Sequence, residues 1–246
     1  MAEGVATITL DAAGKLNRVT MAARDQLARV FDDFGRDDAV RAVVLTGAGG
    51  AFTAGGDVAG FLERSPEELS RLAWNVAAPE RCPKPVVARL RGYTFGVGLE
   101  LALACDFRVA AEDVELALPE VRLGMIPGSG GTQRLARLIG LGRAKDAIMR
   151  GRRIGAQEAL ALGLVTAVVA PDELDAAVRR LLDELAELSP LVLAVAKRVL
   201  NQVYDAPLHV GLELEGFAYG LLRSTHDFRE GVEAFGEKRK PNFKGQ

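Results

Sequence analysis

Val97-Gly98-Leu99-Glu100-Leu101-Ala102-Leu103-Ala104-Cys105 holds a single polar side chain, the carboxylate of Glu100. The stretch is far shorter than the ~20 residues a membrane helix needs, so it reads as a helix buried on every side in a globular interior. Such a helix needs strands to cover it. Pro85–Leu90 before it and Phe107–Ala110 after it are rich in β-branched and apolar residues, as are Val5–Leu10, Val40–Thr46 and Val165–Val169. Helical patterns separate them. Met21–Phe34 places Leu27, Val30, Phe31 and Phe34 at spacings of three and four, one face of a helix. Thr132–Ile139 and Ala144–Arg150 read as amphipathic helices, and Glu173–Leu188 as a long one ended by Ser189-Pro190. Leu191–Tyr204 and Leu208–Leu222 are again helical. The fold class is therefore α/β, with a core over residues 1–188 and a helical region over 189–246.

The chain has 246 residues, 49% hydrophobic and 26% charged, enough for one large domain with a sizeable core. Thirty-one Lys and Arg face 33 Asp and Glu, a formal charge of −2, so no basic surplus points to nucleic acid or an anionic membrane. A small-molecule partner is expected. Cys82 and Cys105 form no CxxC or Cys/His cluster, which argues against a disulfide framework or structural zinc. The opening MAEGVATITLDAAG lacks the basic and apolar regions of a secretory signal, and no apolar run is long enough to span a membrane. A soluble cytoplasmic protein is expected. No internal repeat, low-complexity stretch or Pro/Ser-rich linker divides the chain.

Three motifs invite chemistry and fall short of it. Gly47-Ala48-Gly49-Gly50-Ala51-Phe52 follows a strand like the opening of a dinucleotide fingerprint, but Phe52 takes the place of the third glycine and no helix starts there. The Tyr–Lys spacing of a short-chain reductase is missing, since Tyr93, Tyr204 and Tyr219 are followed four residues on by Val97, Leu208 and Arg223. Around Gly128-Ser129-Gly130, Pro127 stands where a nucleophile elbow needs its first glycine, and the only bases for a serine hydrolase are His209 and His226 in the helical region. A glycine-rich turn before the next helix is the simpler reading, and His226 reads as an exposed or capping residue.

Glu100 is more telling, because an ionised carboxylate in an apolar helix is costly unless paired. Its helical neighbours Gly96, Val97, Leu103 and Ala104 include no cation. Either a distant arginine such as Arg91 or Arg108 satisfies it, or it is a tuned acid or base. Glu120, between Leu118-Pro119 and the strand-like VRLG, reads alone as either an exposed loop residue or a catalytic one. Glycines shift the balance. Gly92, Gly96 and Gly98 lead into the Glu100 helix, and Gly55-Gly56 leads to Asp57, placed to cap a second helix. Two helix N-termini would offer open backbone N–H groups to an anion.

Three segments carry a resemblance: Ala51-Phe52-Thr53-Ala54-Gly55-Gly56-Asp57-Val58, Gly92–Ala102 (GYTFGVGLELA) and Pro119–Gly128 (PEVRLGMIPG). In order and spacing they resemble the signature segments of the enoyl-CoA hydratase/isomerase (crotonase) superfamily. The likeness continues through Gly130–Leu135, Ala156–Ala159, Gly163–Val165 and Glu237–Phe243, over nearly the whole chain. It implies a spiral of ββα units with a helical C-terminal region that mediates trimerisation, usually into a dimer of trimers. The family holds its thioester carbonyl with two backbone N–H groups, which map to Gly56 and Val97. Val97 departs from the glycine usual there; a backbone donor survives a side chain, and the isopropyl group is expected either to narrow the pocket or to shift the N–H. Glu100 maps to the residue that orients and activates water, and Glu120 to the one that exchanges the proton at Cα. Leu16, Ala54, Asp57, Val58 and Gly128 match places around the CoA and acyl site. Tyr219 and Lys238 match the part of a neighbouring subunit that approaches the adenine. The substrate implied is an acyl-CoA thioester, with no metal or nucleotide cofactor.

Both glutamates are present, whereas double-bond isomerases of the superfamily commonly keep only the counterpart of Glu120, so hydration of a 2-enoyl-CoA is favoured. The alternatives are Δ3,Δ2-isomerisation, and hydration or hydrolysis of an alicyclic or aromatic-derived acyl-CoA. Some crotonase-like proteins bind RNA, but the charge balance and the lack of a basic, aromatic-interleaved patch argue against that here. The retained glutamates argue against a catalytically silent subunit.

Overall fold

A computed structural model describes residues 4–12, 14 and 16–246. These fall into two compact units, one within Met1–Cys82 and Val86–Val178, the other within Pro83–Pro85 and Arg179–Gln246.

Eight strands are present among the described residues: β1 (Val5–Leu10), β2 (Ala42–Gly47), β3 (Val86–Leu90), β4 (Tyr93–Phe95), β5 (Phe107–Ala111), β6 (Glu115–Ala117), β7 (Arg153–Gly155) and β8 (Ala167–Val169). The helices are α1 (Met21–Arg36), three short ones, α2 (Pro66–Ser70), α3 (Leu72–Asn75) and α4 (Ala78–Arg81), then α5 (Val97–Ala104), α6 (Gly131–Ile139), α7 (Leu141–Arg150), α8 (Ala156–Ala161), α9 (Leu174–Ala186), α10 (Pro190–Leu200), α11 (Leu208–Leu222) and α12 (His226–Glu237).

The larger sheet is parallel throughout, in the order β1-β2-β3-β5-β8. Its central strands are mostly apolar, AVVLTG in β2 and VVARL in β3, as parallel strands covered on both faces are. The smaller sheet, β4-β6-β7, pairs β4 with β6 in parallel and β6 with β7 antiparallel. Before α5 and α6 the chain places one strand in each sheet. β3 joins the large sheet, β4 the small one, and α5 follows; β5 and β6 repeat the move before α6. That is the expected ββα spiral. Leu45 of β2, Leu90 of β3, Leu116 of β6 and Phe31 of α1 are fully buried together with Leu99 and Leu101 of α5 in one core. α5 is buried along its whole length, as its all-round apolar sequence requires.

Two local readings are corrected. The VRLG segment is no strand: Glu120–Leu123 is a 3-10 turn closed by Gly124 in the left-handed region. Asp57 caps no helix either. The turn beyond it, Ala59–Glu63, is a 3-10 helix with Val58 at its N-cap, and Asp57 accepts a 2.9 Å hydrogen bond from Arg18.

The second unit is helical. Ser189 caps α10, accepting from the Val192 N–H, and its hydroxyl donates to Asp227, near the start of α12. Asp227 also accepts the N–H groups of Lys244 and Gly245, which fixes the C-terminal segment. α11 leaves Leu212, Phe217, Tyr219 and Leu221 exposed. The division between units runs through α9, between Val178 and Arg179.

Candidate active site

Glu100 lies in the middle of α5 and is 2% exposed. Among the described residues no arginine hydrogen-bonds it. Its Oε1 accepts the backbone N–H groups of Ser129 (2.7 Å) and Gly131 (2.9 Å), at the start of α6. The expected partners are engaged elsewhere: Arg91 pairs with Asp113, and Arg108 donates to the carbonyls of Leu164, Ala102 and Cys105. Gly131 cannot be replaced freely, since a Cβ there would stand 3.0 Å from Glu100 Oε1. Burial raises the Glu100 pKa, while the Gly131 and Ser129 N–H groups and the nearby Arg24 oppose that rise.

Arg24 is the residue that the sequence reading missed. It projects from the buried face of α1, is 2% exposed, and donates through Nη1 to Ser129 Oγ at 2.9 Å. Burial lowers its pKa and the Glu100 charge opposes that. An arginine three residues before Leu27 and seven before Phe31 stands on the apolar stripe, and that spacing was the available signal. Ser129 is thus held by a cation through its hydroxyl, not activated as a nucleophile.

Glu120 opens the 3-10 turn Glu120–Leu123. Its Oε2 is buried without a hydrogen-bond partner among the described residues. Burial is the main cause that raises its pKa to about 7, and the like charge of Glu100 adds to it. Gly96, the α5 N-cap at φ +54°, adopts a conformation L side chains rarely take, and a Cβ there would meet Glu120 Oε1 at 3.0 Å. Gly96 thereby both turns the chain into α5 and makes room for the second carboxylate.

The two expected carbonyl donors meet here as well. Val97 is the first residue of α5, and its Cγ1 lies 3.7 Å from where a Gly56 Cβ would be. Neither amide N–H has a partner in the protein among the described residues. The Gly56 loop is anchored from behind. Val19 N–H donates to the Gly55 carbonyl, Asp57 N–H to the Val19 carbonyl, and the buried Asn17 amide donates to the carbonyls of Ala48, Ala51 and Phe52.

Ala54, Gly56, Val58, Val97, Glu100, Glu120 and Gly128 all line one cavity of about 230 Å³. Phe61, Leu69, Leu72, Met125 and Ile126 give it apolar walls, and Arg24 and Ser129 complete it. Leu16 is not a wall residue. It is 53% exposed at φ +48°, and its carbonyl accepts the Ala54 N–H. Asp57 is turned toward Arg18. Tyr219 and Lys238 belong to the second unit, Tyr219 exposed on α11 and Lys238 ending α12 in the left-handed region. Among the described residues no group of three or more His, Cys, Asp or Glu could hold a metal, and no helix is long and apolar enough to cross a membrane.

Arranged this way, two carboxylates, both with pKa values raised by burial, face one largely apolar cavity beside two open backbone donors. Comparison with known proteins agrees with the resemblance. The family described as Enoyl-CoA hydratase/isomerase matches residues 1–246. A crotonyl-CoA hydratase of Syntrophomonas wolfei is 38% identical over 93% of this chain and 88% of its own. A short-chain-enoyl-CoA hydratase of Clostridium acetobutylicum is 36% identical over 96% and 92%. The crystal structure of an enoyl-CoA hydratase from Bacillus anthracis, 39% identical, superposes with a TM-score of 0.93 over 99% of this chain and 96% of that one.

Proposed function

The chain belongs to the enoyl-CoA hydratase/isomerase family, and from that premise we propose that it adds water across the double bond of a 2-enoyl-CoA to give a 3-hydroxyacyl-CoA. The observation that carries the reading is the pair of glutamates in one cavity, Glu100 clamped by two N–H groups and Glu120 with a pKa of about 7.

In this reading the thioester carbonyl accepts the N–H groups of Gly56 and Val97. As water attacks Cβ, the π electrons move toward the carbonyl and build an enolate, which these donors stabilise better than the ground state. One such donor is worth about 3–4 kcal/mol in the transition state. Glu100, ionised, takes a proton from the water as its oxygen bonds to Cβ. Glu120, protonated, gives its proton to Cα. A proton then returns from Glu100 to Glu120, and because each charge acts on the other the two titrate as a coupled pair. Water addition moves no electrons to or from an acceptor, so the reading calls for no redox cofactor, and the enolate donors are backbone amides, so it calls for no metal. CoA enters only as part of the substrate.

The exposed apolar side chains of α11 favour assembly as a homotrimer or a dimer of trimers, which would cover them. To test the reaction, crotonyl-CoA is mixed with the protein, the conjugated-enoyl absorbance is followed, and the product is weighed. A gain of one water supports hydration. A rearranged product of unchanged mass would assign the site to isomerisation instead.

A further inference from the structure

Arg24 does more than the water-addition chemistry asks of it. Burying a guanidinium is costly unless its N–H groups find acceptors, and here only Nη1 does, at Ser129 Oγ. Nε is buried without a partner among the described residues. Nη2 has no acceptor among the described residues either, and a guanidinium N–H suits a carboxylate. No hydrogen bond joins it to Glu100, whose Oε1 accepts the Ser129 and Gly131 N–H groups and whose charge acts on Arg24 through space.

Arg24 lines the reaction cavity. Arg24 is its only lining Lys or Arg among the described residues, and the walls near it, Phe61, Leu69 and Leu72, are apolar. Phe61 lies over the guanidinium, with Cζ 5.9 Å from the ring centroid, which favours one orientation of the plane. Nη2 stands 3.3 Å from where a Gly56 Cβ would be. A Cβ sits about 2.5 Å from its own amide nitrogen, so Nη2 is within roughly 6 Å of the N–H assigned to the thioester carbonyl. That distance suits an acyl group of four or five carbons.

We propose that Arg24 is a specificity-determining residue that receives a carboxylate on the acyl group, so that the preferred substrate is a short enoyl-CoA whose chain ends in a carboxylate. The proposal rests on the hydratase reading for its turnover and on the cavity alone for its binding. An uncharged acyl chain leaves Arg24 Nη2 without a fixed acceptor, whereas a carboxylate accepts its N–H and meets its charge. Sites built to hydrogen-bond a substrate group discriminate strongly against analogues that lack it.

The test compares crotonyl-CoA with its carboxylated counterpart glutaconyl-CoA, in wild type, Arg24→Met and Arg24→Lys. The wild type is expected to favour glutaconyl-CoA in kcat/KM by about tenfold or more. Arg24→Met abolishes that preference, and Arg24→Lys, which keeps the charge without the fork, retains part of it. If Arg24 served only as a counter-charge for Glu100, Arg24→Met would slow both substrates by the same factor, which overturns the proposal. A wild type without preference overturns it too. Calorimetric binding of the saturated analogues glutaryl-CoA and butyryl-CoA separates the two layers. Tighter glutaryl-CoA binding that is lost in Arg24→Met supports the subsite even if neither enoyl thioester is hydrated. Equal binding of the two overturns it even if hydration is fast.

Discussion

Replacing Gly131 by Ala adds one methyl group at the clamp of Glu100 and changes no charge. That methyl would stand 3.0 Å from Glu100 Oε1, 2.9 Å from Leu118 Cδ1 and 3.0 Å from Pro127 Cβ. With neighbours on three sides it has nowhere to go, and the carboxylate must retreat by some tenths of an ångström. The Gly131 N–H bond, 2.9 Å in the wild type, stretches or breaks, and a hydrogen bond to a charged group is worth about 1.5–3 kcal/mol. If that much positioning is lost in the transition state, kcat falls by roughly 10- to 100-fold. Stability changes less, because overpacking of about 1–3 kcal/mol is partly offset by the roughly 0.4–1 kcal/mol that Gly→Ala gives by stiffening the unfolded chain. Steady-state hydration of crotonyl-CoA gives the first quantity and urea unfolding the second. A variant with wild-type kcat and unchanged stability would refute the idea that the Gly131 N–H positions Glu100.

Glu100→Gln and Glu120→Gln should each lower kcat by about 10²- to 10⁴-fold while binding of a saturated acyl-CoA, read by calorimetry, stays within a few-fold; wild-type turnover in either variant removes it from the acid/base pair. The Glu120 carboxyl, ordinarily near 4.5, is raised to about 7 in the fold, so its protonated form favours the native state. Its contribution is complete below pH ~4.5 and is lost as pH rises through about 7. Thermal melts should show Glu120→Gln gaining stability on the wild type across that window, and kcat should fall on the alkaline side near 7; a pH-independent difference in melting contradicts the assignment. Val97→Gly removes a side chain that is 3% exposed and adjoins Gly56. A destabilisation of about 2–4 kcal/mol is expected from the cavity and the glycine together, with kcat/KM rising for longer or branched acyl chains relative to crotonyl-CoA; an unchanged acyl profile would show that the isopropyl group does not shape the pocket.

The long parallel strands were legible because they are rich in β-branched and apolar residues, as in β2 and β3, and α5 because its composition admits only burial. β4, β6 and β7 were not. Each has three residues, too few to show a period, and pairing between distant segments defines them. α12 was hidden for another reason: Gly231 and Gly236 interrupt its apolar pattern, and its clearest mark is Thr225, which caps it by accepting from the Phe228 N–H. At the site, motif resemblance named Glu100, Glu120, Gly56 and Val97, and the fold brings all four to one cavity. What holds Glu100 was invisible, since Ser129 and Gly131 lie about thirty residues away and act through backbone N–H groups that any residue but proline carries. Arg24 did leave a trace, a cation on the apolar stripe of α1 that a periodicity count passes over when it records only the apolar positions.

The most direct test of the two-glutamate account is to turn over crotonyl-CoA in deuterated, heavy-oxygen water and locate the labels in the product. The account predicts one solvent oxygen at Cβ and one deuterium at Cα in every product molecule, with both incorporations suppressed together in Glu100→Gln and in Glu120→Gln. Deuterium entering the acyl chain without solvent oxygen would contradict it, because the carboxylates would then be moving protons without adding water.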